Sequence, residues 1–588
     1  MGKYFGIFIA LSLAANTCVY AETFLDQVVV TPLKKPTRIL NVFNNVQIIT
    51  SKEIKLQGYE SINEILSKSS SISIGSNGGY GQTKSIFLRG TESNHTKVLI
   101  NGVDLNPGTL GVPSIQHISV DMIQRIEISK GSMSALYGKD TIGGVINIIT
   151  KKNIGNKISI STGTHNTKNI VYSGGFNYMN HDFSTNVSRL ESDSFKAKVT
   201  STKKHAYDTT NLDFNYIMTI GQNEVSANYY KSIGNTEYDS FGSNLNQNHR
   251  DNHFKFNVNY MFADSYLDLF YVKKTNEINQ AALSATDYTH TKINSFGFEY
   301  TIVGNESNHT LIGMDYNDEA MYELSYGTSF KHTNKIKQAY ISSTHKISEK
   351  LQTNLGIRTQ NHSTYNSFTS GNVGINYYLN PRFVISAALA KSFRAPDATD
   401  LFGYGGNNKL KPEESRTSEI SMRYRISDNE SFAGTLFHNK ITNLIESDGT
   451  KMQNINKARI NGIDISYVKY VNNKKFDIQY TYQEPRDQTN NVILSRRPRN
   501  RLIGNMTLFF KDAESVGITT MYESRRDNSI YDANQLGSYV LVDANYTRDI
   551  QGYEVGFKIN NLLDKSYRLA HNYNTDGRSF NLTIKSDF

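Results

Sequence analysis

Along most of the chain, apolar and polar residues take turns. Phe476, Ile478, Tyr480 and Tyr482 alternate with Asp477, Gln479 and Thr481. Val540, Val542, Ala544 and Tyr546 alternate with Leu541, Asp543, Asn545 and Thr547, and Val555, Phe557 and Ile559 with Gly556, Lys558 and Asn560. A period of two places the two sets on opposite faces of a strand. A soluble sandwich alternates in the same way, but three features favour a barrel in a membrane. Stretches rich in Asn, Asp, Ser and Gly, such as 235–253 and 361–373, read as long loops, and aromatic residues recur near strand ends, where a membrane girdle sits. The chain also closes on an alternating strand, Phe580, Leu582, Ile584 and the terminal Phe588. In hydrocarbon every backbone polar group needs a partner, so such strands must close on themselves. At about 20 residues per strand and connection, residues 151–588 predict an all-β transmembrane barrel of about 22 antiparallel strands.

Residues 22–150 break this pattern. A helix-like stretch, Ser61-Ile62-Asn63-Glu64-Ile65-Leu66, is mixed with short strands such as Ser85–Arg89 and Lys97–Ile100, separated by Gly-rich turns at 75–79 and 143–144. They predict a compact α+β domain, and a barrel of about 22 strands has a lumen wide enough to hold it as a plug. Ahead of it stands Asp26-Gln27-Val28-Val29-Val30-Thr31-Pro32, followed by the basic residues Lys34, Lys35 and Arg38. Three valines favour extended structure, and Pro32, lacking an N–H, ends any ladder. Such a segment can add to the sheet edge of a partner and transmit a pull through main-chain hydrogen bonds. It can equally be the first strand of the plug; spacing alone does not choose. The expected division is a signal peptide over 1–21, a coupling segment and linker over 22–38, the plug over 39–150 and the barrel over 151–588.

The signal peptide rests on Lys3, an apolar run from about Phe5 to Ala15, and small residues before a cut at Glu22. Cys18, the single cysteine, lies inside it, so the exported chain is expected to carry no thiol. Beyond residue 21 no run of 18 apolar residues occurs and the mean hydropathy is −0.48, which excludes a helical membrane protein. The 37 Tyr, 29 Phe and 41 Gly against 9 Pro suit long strands with one apolar face. The formal charge is +9, and +8 once Lys3 is removed with the signal. On an exported chain that surplus suits anionic lipid and lipopolysaccharide rather than nucleic acid. No Gly-x-Ser-x-Gly elbow, metal-ligand cluster or cysteine nucleophile suggests an enzyme.

Several motifs, in order along the chain, resemble those of the TonB-dependent outer-membrane receptors. Asp26–Thr31 looks like the TonB box of that family. Ser85-Ile86-Phe87-Leu88-Arg89-Gly90-Thr91, Val98–Val103, Arg125–Gly131, Ser134–Gly138 and Ile142–Thr150 are similar to its plug segments. Ile559–Tyr567 resembles its penultimate-strand motif. The resemblance implies a monomeric receptor that binds a scarce ligand outside the cell and imports it with energy delivered by TonB. A passive porin or adhesin would need neither plug nor Val-rich segment.

Within the family the chain most resembles the cobalamin (vitamin B12) receptors. The supporting stretches are Asn77–Gln82, Ser392-Phe393-Arg394-Ala395-Pro396 leading to 401–407, Lys457–Gly462 and Arg496-Arg497. The resemblance implies ligand contacts from plug loops at Asn77, Gly78, Gly79, Tyr80 and Gln82 and at Asn106, Thr109 and Leu110. Haem receptors place a histidine soon after a similar Phe-Arg-Ala-Pro segment, and 397–406 has none; a ferric-siderophore receptor stays open as the alternative. No cofactor is expected except a structural calcium ion, for which Asp208, Tyr238, Asp239 and Asp251 are the candidates, although they lack a dense acidic cluster. His249 and His253, four apart in the same region, read as solvated loop residues. Arg89, Arg125 and Glu127 lie on apolar plug strands; buried charges must be paired, so a plug–barrel ion network is expected.

Overall fold

The computed structural model describes residues 25, 27–152, 155–281, 286–305, 308–511, 513–529 and 534–588; the expected signal peptide and Asp26 lie outside them. From Lys157 to Asp587, 22 strands among the described residues form one closed antiparallel barrel. A two-residue piece, Val492–Ile493, pairs at the end of the strand Lys474–Asp487 and is not a separate span. The first strand, Lys157–Gly163, pairs with Thr167–Tyr178 on one side and with the last, Ser579–Asp587, on the other. Tight turns such as Met179-Asn180 and Gln551-Gly552 make one rim, while connections on the other range from hairpin tips such as Phe241-Gly242 to longer segments such as 193–206, 395–412 and 561–578. In an outer-membrane barrel the tight-turn rim faces the periplasm and the long connections face outward.

The alternation sorts faces as the period of two requires, with the apolar set outside. Ile478 is exposed while its neighbours Gln479 and Thr481 are buried in the lumen, and exposed Phe557 stands beside buried Lys558. One expectation is corrected. Residues 235–253 and 361–373 are mostly strand: Asn223–Ser240 and Ser243–Phe262 are joined at Phe241-Gly242, and Leu351–His362 and Asn366–Asn380 across three residues. About 10 residues suffice to cross the bilayer, so strands of 18 and 20 residues project well beyond it. Their Asn- and Ser-rich composition reports water on both faces, not loss of pairing.

The plug fills the lumen with a five-stranded sheet in which Val46–Thr50 is an edge, pairing only with Ile123–Lys130. Gly144–Thr150 lies between Ile123–Lys130 and Thr96–Ile100, and runs parallel to the latter. A separate hairpin joins Ile72–Ser76 to Lys84–Leu88. The helix Ser51–Leu56 starts on a reciprocal cap, the Thr50 hydroxyl accepting from the Glu53 N–H while the Glu53 carboxylate accepts from the Thr50 N–H. Ser61 caps the helix Ile62–Ser67. Both pack onto a core of Ile65, Leu66, Ile72, Val98, Ile126 and Ile146. Gly144, at φ +147, has its α-carbon against the Ser129 carbonyl; a Cβ there would stand 2.2 Å from that oxygen, so only glycine fits.

Leu389 is 59% exposed in the middle of the strand Phe383–Arg394, facing lipid, whereas Ile347, 63% exposed, adjoins a tight turn. Leu389→Arg should cost about 2–4 kcal/mol and Ile347→Arg about 0–1 kcal/mol, because water is within reach of the second. Urea unfolding in lipid vesicles measures both.

Candidate functional site

One carboxylate holds the N-terminal segment against the plug. Glu127, fully buried in the strand Ile123–Lys130, accepts at Oε2 from the N–H groups of Val30 (3.0 Å) and Thr31 (2.8 Å) and from the Thr31 hydroxyl (2.6 Å). Its other oxygen accepts from Arg125 Nε at 2.8 Å. The Tyr137 hydroxyl donates to the Thr31 carbonyl at 2.9 Å, and Asn147 Nδ2 to the Thr31 hydroxyl at 3.2 Å. Gln27 leads into Val28-Val29, which pair antiparallel with Thr37-Arg38; the chain reverses through Pro32 between them. The segment is therefore a miniature hairpin outside the five-stranded sheet, and the alternative of an ordinary first plug strand is set aside. Val29 is buried and Val28 is exposed. Beyond the reversal, the Lys34 ammonium pairs with Glu299 of the barrel and lies 4.9 Å from the centre of the Tyr340 ring. Nothing in the sequence linked Lys34 to a carboxylate 265 positions away.

The expected ion network divides in two. Arg89 does bridge to the barrel: Nε meets Asp464 at 2.9 Å, Nη1 meets Glu419 at 2.7 Å, and the guanidinium lies 4.4 Å from the centre of the Phe437 ring. Arg125 and Glu127, by contrast, pair with each other and turn toward the N-terminal segment, because their strand lies inside the plug. Bridges that the sequence did not suggest include His95 to Glu413, Arg497 to Glu92 and Lys475 to Glu53. Arg394 of the Phe-Arg-Ala-Pro stretch meets Asp400 at 2.9 Å and Glu413 at 3.0 Å, stiffening the outer connection 395–412.

Both plug loops that the resemblance assigned to ligand reach the outer side, but the barrel covers much of them. At the first, Asn77, Gly79 and Tyr80 are half-buried, Gly78 packs on Ala197, and Gln82 Nε2 donates to the Glu237 carbonyl at 2.6 Å. Gly81, at φ +71, lies against the Tyr207 ring, where a Cβ would come within 2.3 Å. In the second loop, Asn106 is fully committed: Oδ1 accepts from the Val98 N–H, and Nδ2 donates to the Thr96 and Gly111 carbonyls. Thr109 is buried against Thr291, and its carbonyl accepts from the Thr399 N–H of the outer connection at 3.0 Å. Asn106 and Thr109 thus shape the loop in this conformation; Leu110 stays half-buried.

The four calcium candidates are not brought together. Asp208 pairs with Arg189, Asp239 with Lys198 and Ser201, Asp251 accepts from Asn276, and the Tyr238 hydroxyl donates to the Ala281 carbonyl. Among the described residues no group of three or more His, Cys, Asp or Glu is arranged to hold a metal ion. His249 and His253 are also not solvated: both are buried on one face of the strand Ser243–Phe262. The His249 ring stacks on His117 of the plug with centroids 3.5 Å apart, and His117 Nδ1 is 3.0 Å from the Tyr207 hydroxyl. Burial, and then the neighbouring His249, hold the His117 imidazole well below its ordinary 6.5.

A family model described as "TonB dependent receptor-like, beta-barrel" matches residues 159–562, and one described as "TonB-dependent Receptor Plug Domain" matches residues 38–145. The chain is 25% identical over 609 residues to the vitamin B12 transporter BtuB of Photobacterium profundum, covering 98% of each. It is 25% identical over 600 residues to the vitamin B12 transporter BtuB of Vibrio vulnificus, covering 96% of this chain and 95% of that one. Among solved structures, the siderophore receptor PirA from Acinetobacter baumannii superposes with a TM-score of 0.81 at 16% identity, covering 92% of this chain and 98% of that one. The ferric-catecholate import receptor Fiu from E. coli K12 gives 0.80 at 15%, covering 96% and 100%. At those identities the structures speak for the fold alone.

Glu127→Gln should weaken the charge-assisted bonds to Val30 and Thr31 by about 1.5–3 kcal/mol and raise amide exchange at 27–33 without unfolding the plug. The histidine stack sets a pH dependence. With its folded pKa depressed, His117 binds fewer protons than an unfolded histidine, so the contact holds above pH 6.5 and weakens as pH falls toward the depressed value. Exchange protection of 106–117, corrected for intrinsic rates, should decline over that range, and His117→Gln should abolish the trend.

Proposed function

The chain belongs to the TonB-dependent receptor family, and on that footing we propose that it imports cobalamin (vitamin B12) across the outer membrane by TonB-driven active transport. A closed barrel of this family is an outer-membrane protein, and the family consists of receptors and transporters. The observation that carries the reading is the docking of Val30 and Thr31 on Glu127. It places a short, β-forming segment outside the plug sheet yet tied to a strand inside that sheet, so a pull on the segment is delivered to the plug interior. The outer membrane holds no energy source of its own, and a ligand bound tightly enough to be scavenged must be released by work done from elsewhere. TonB, pairing with Asp26–Thr31 as a strand added to its own sheet, supplies that work in this reading. The apolar outer face meets lipid, and the basic surplus suits lipopolysaccharide.

Cobalamin is favoured over other scarce ligands because the likeness to vitamin B12 transporters runs along essentially the whole of both chains. A ferric-siderophore receptor is the second reading, favoured by the fold shared with siderophore receptors and by a net charge that attracts anionic iron chelates.

Calorimetry of the purified, detergent-solubilised protein with cyanocobalamin should give one-to-one binding at sub-micromolar Kd, unchanged by deleting 26–31. Uptake by cells should vanish in the deletion. No binding would transfer the proposal to iron chelates, and uptake surviving the deletion would remove TonB coupling.

A further inference from the structure

The plug is not held evenly around the lumen. Toward the strands that follow Tyr207 it is braced by buried charges, including Arg89 to Glu419 and Asp464, Lys274 to the carbonyls of Asp104 and Asn106, and Arg358 to the carbonyls of Ala135 and Leu136. On the neighbouring last strands the Lys558 ammonium pairs with Glu64 and donates to the Gly58 carbonyl, Asp543 pairs with Lys68, and Asn545 Nδ2 donates to the Leu56 carbonyl at 2.6 Å. Between these two sets of ties, on Ser579–Asp587, Lys157–Gly163 and Thr167–Tyr178, the hydrogen bonding to the plug among the described residues comes down to Asn169 Nδ2 donating to Asp121 at 3.1 Å. Two cavities of about 360 and 260 Å³ lie between the plug, this arc and the braced last strands beside it. The larger starts near the periplasmic rim, beside Lys157 and Glu554; the smaller reaches the outer rim beside His165 and Asp576. Glu60 and Tyr80 of the plug, with Thr167 and Asn581 of the wall, line both, so the cavities meet at a neck between these four residues.

The walls are made for polar traffic. Ser159 is 3% exposed, yet its hydroxyl has no hydrogen-bond partner and lines the larger cavity. Glu60 Oε1 and Asn560 Oδ1, lining the smaller, are likewise without partners. Buried polar atoms left open in this way suit water or a polar solute. Six lysines against three carboxylates line the larger cavity, and five carboxylates against two lysines line the smaller, so the two halves of the space carry opposite charge and neither sign of solute is favoured along both. The plug elements facing the gap, the helix Ser51–Leu56 and the turn at Tyr59-Glu60, follow directly on Val46–Thr50, the sheet edge closest in sequence to the N-terminal segment.

We propose that the imported solute crosses the barrel along this seam, between the plug and the strands at the barrel closure, through the neck formed by Glu60, Tyr80, Thr167 and Asn581. The proposal rests on the transport reading above and adds the route.

Disulfides test it, in a background where the single cysteine is replaced (Cys18→Ser). A Cβ at Gly58 would stand 3.5 Å from that of Asn545, so Gly58→Cys with Asn545→Cys pins the plug at the seam. Ala135→Cys with Gly356→Cys, 3.2 Å apart, pins it on the opposite wall. Oxidised seam-linked protein should bind cyanocobalamin but lose uptake, reductant should restore it, and the opposite link should leave uptake largely intact. Uptake through the oxidised seam link, or equal loss with both links, overturns the route. A second measurement needs no ligand. In planar bilayers without TonB, Glu60→Ala with Tyr80→Ala should open steady potassium chloride conductance, and Gln338→Ala with Gln360→Ala on the opposite wall should not. If both or neither conduct, the neck is elsewhere. Failure of reduced protein to import cyanocobalamin would count against the ligand, while the conductance would still judge the route.

Discussion

Seven residue pairs between Lys157–Gly163 and the last strand remove the two edges that a sheet of this length would otherwise expose to lipid. An unpaired N–H or C=O in hydrocarbon costs several kcal/mol, so this closure is what makes the remaining strands tolerable in a membrane. Closure at 22 strands also fixes the diameter, and a lumen that wide would leak unless filled. The plug, the polar inner face and the charges between them are consequences of that geometry.

The filling is charged rather than oily. The plug core is largely its own: of the 21 buried residues in its main cluster, only Tyr230 comes from the barrel. Smaller apolar contacts cross the gap, such as Ile142 against Phe437 and Ile460, and Leu136 against Leu311 and Tyr340. Most of the rest is ion pairs and hydrogen bonds to carbonyls. A buried pair such as Arg89 with Glu419 and Asp464 adds little net stability compared with an apolar contact, but breaking it without replacement is costly. The plug is therefore seated in one register while staying detachable wherever water can enter and solvate both partners. The arc of Ser579–Asp587, Lys157–Gly163 and Thr167–Tyr178, flanked by the ties at Lys558 and Asp543, is where fewest such bonds have to be exchanged.

The N-terminal segment obeys the same logic on a smaller scale. It is attached through Glu127 by directional bonds to two backbone N–H groups and a hydroxyl, not by burial of a large apolar face. Such bonds hold a defined geometry, yet each is exchanged for water without exposing much apolar surface. Because Glu127 also sits on a strand paired on both sides, the segment is linked to the middle of the plug sheet, not merely to its rim.

What the sequence determined by itself was everything set by local periodicity. A period of two with apolar residues on one face dictated strands, chain length set their number, aromatic residues near strand ends and the alternating last strand favoured the membrane, and motifs in order marked the plug. Long polar stretches such as 235–253 were misjudged because composition reports solvent, and a strand projecting into water on both faces has the composition of a loop. What only the tertiary structure decided was which distant groups meet. The Asn106 amide closes its own loop through Val98, Thr96 and Gly111, and His249 read as solvated but is buried, stacked on His117, 132 positions earlier. Pairings such as Lys34 with Glu299 depend on how the plug is rotated within the barrel. That rotation is the sum of many weak contacts between two surfaces, and no single stretch of sequence encodes it.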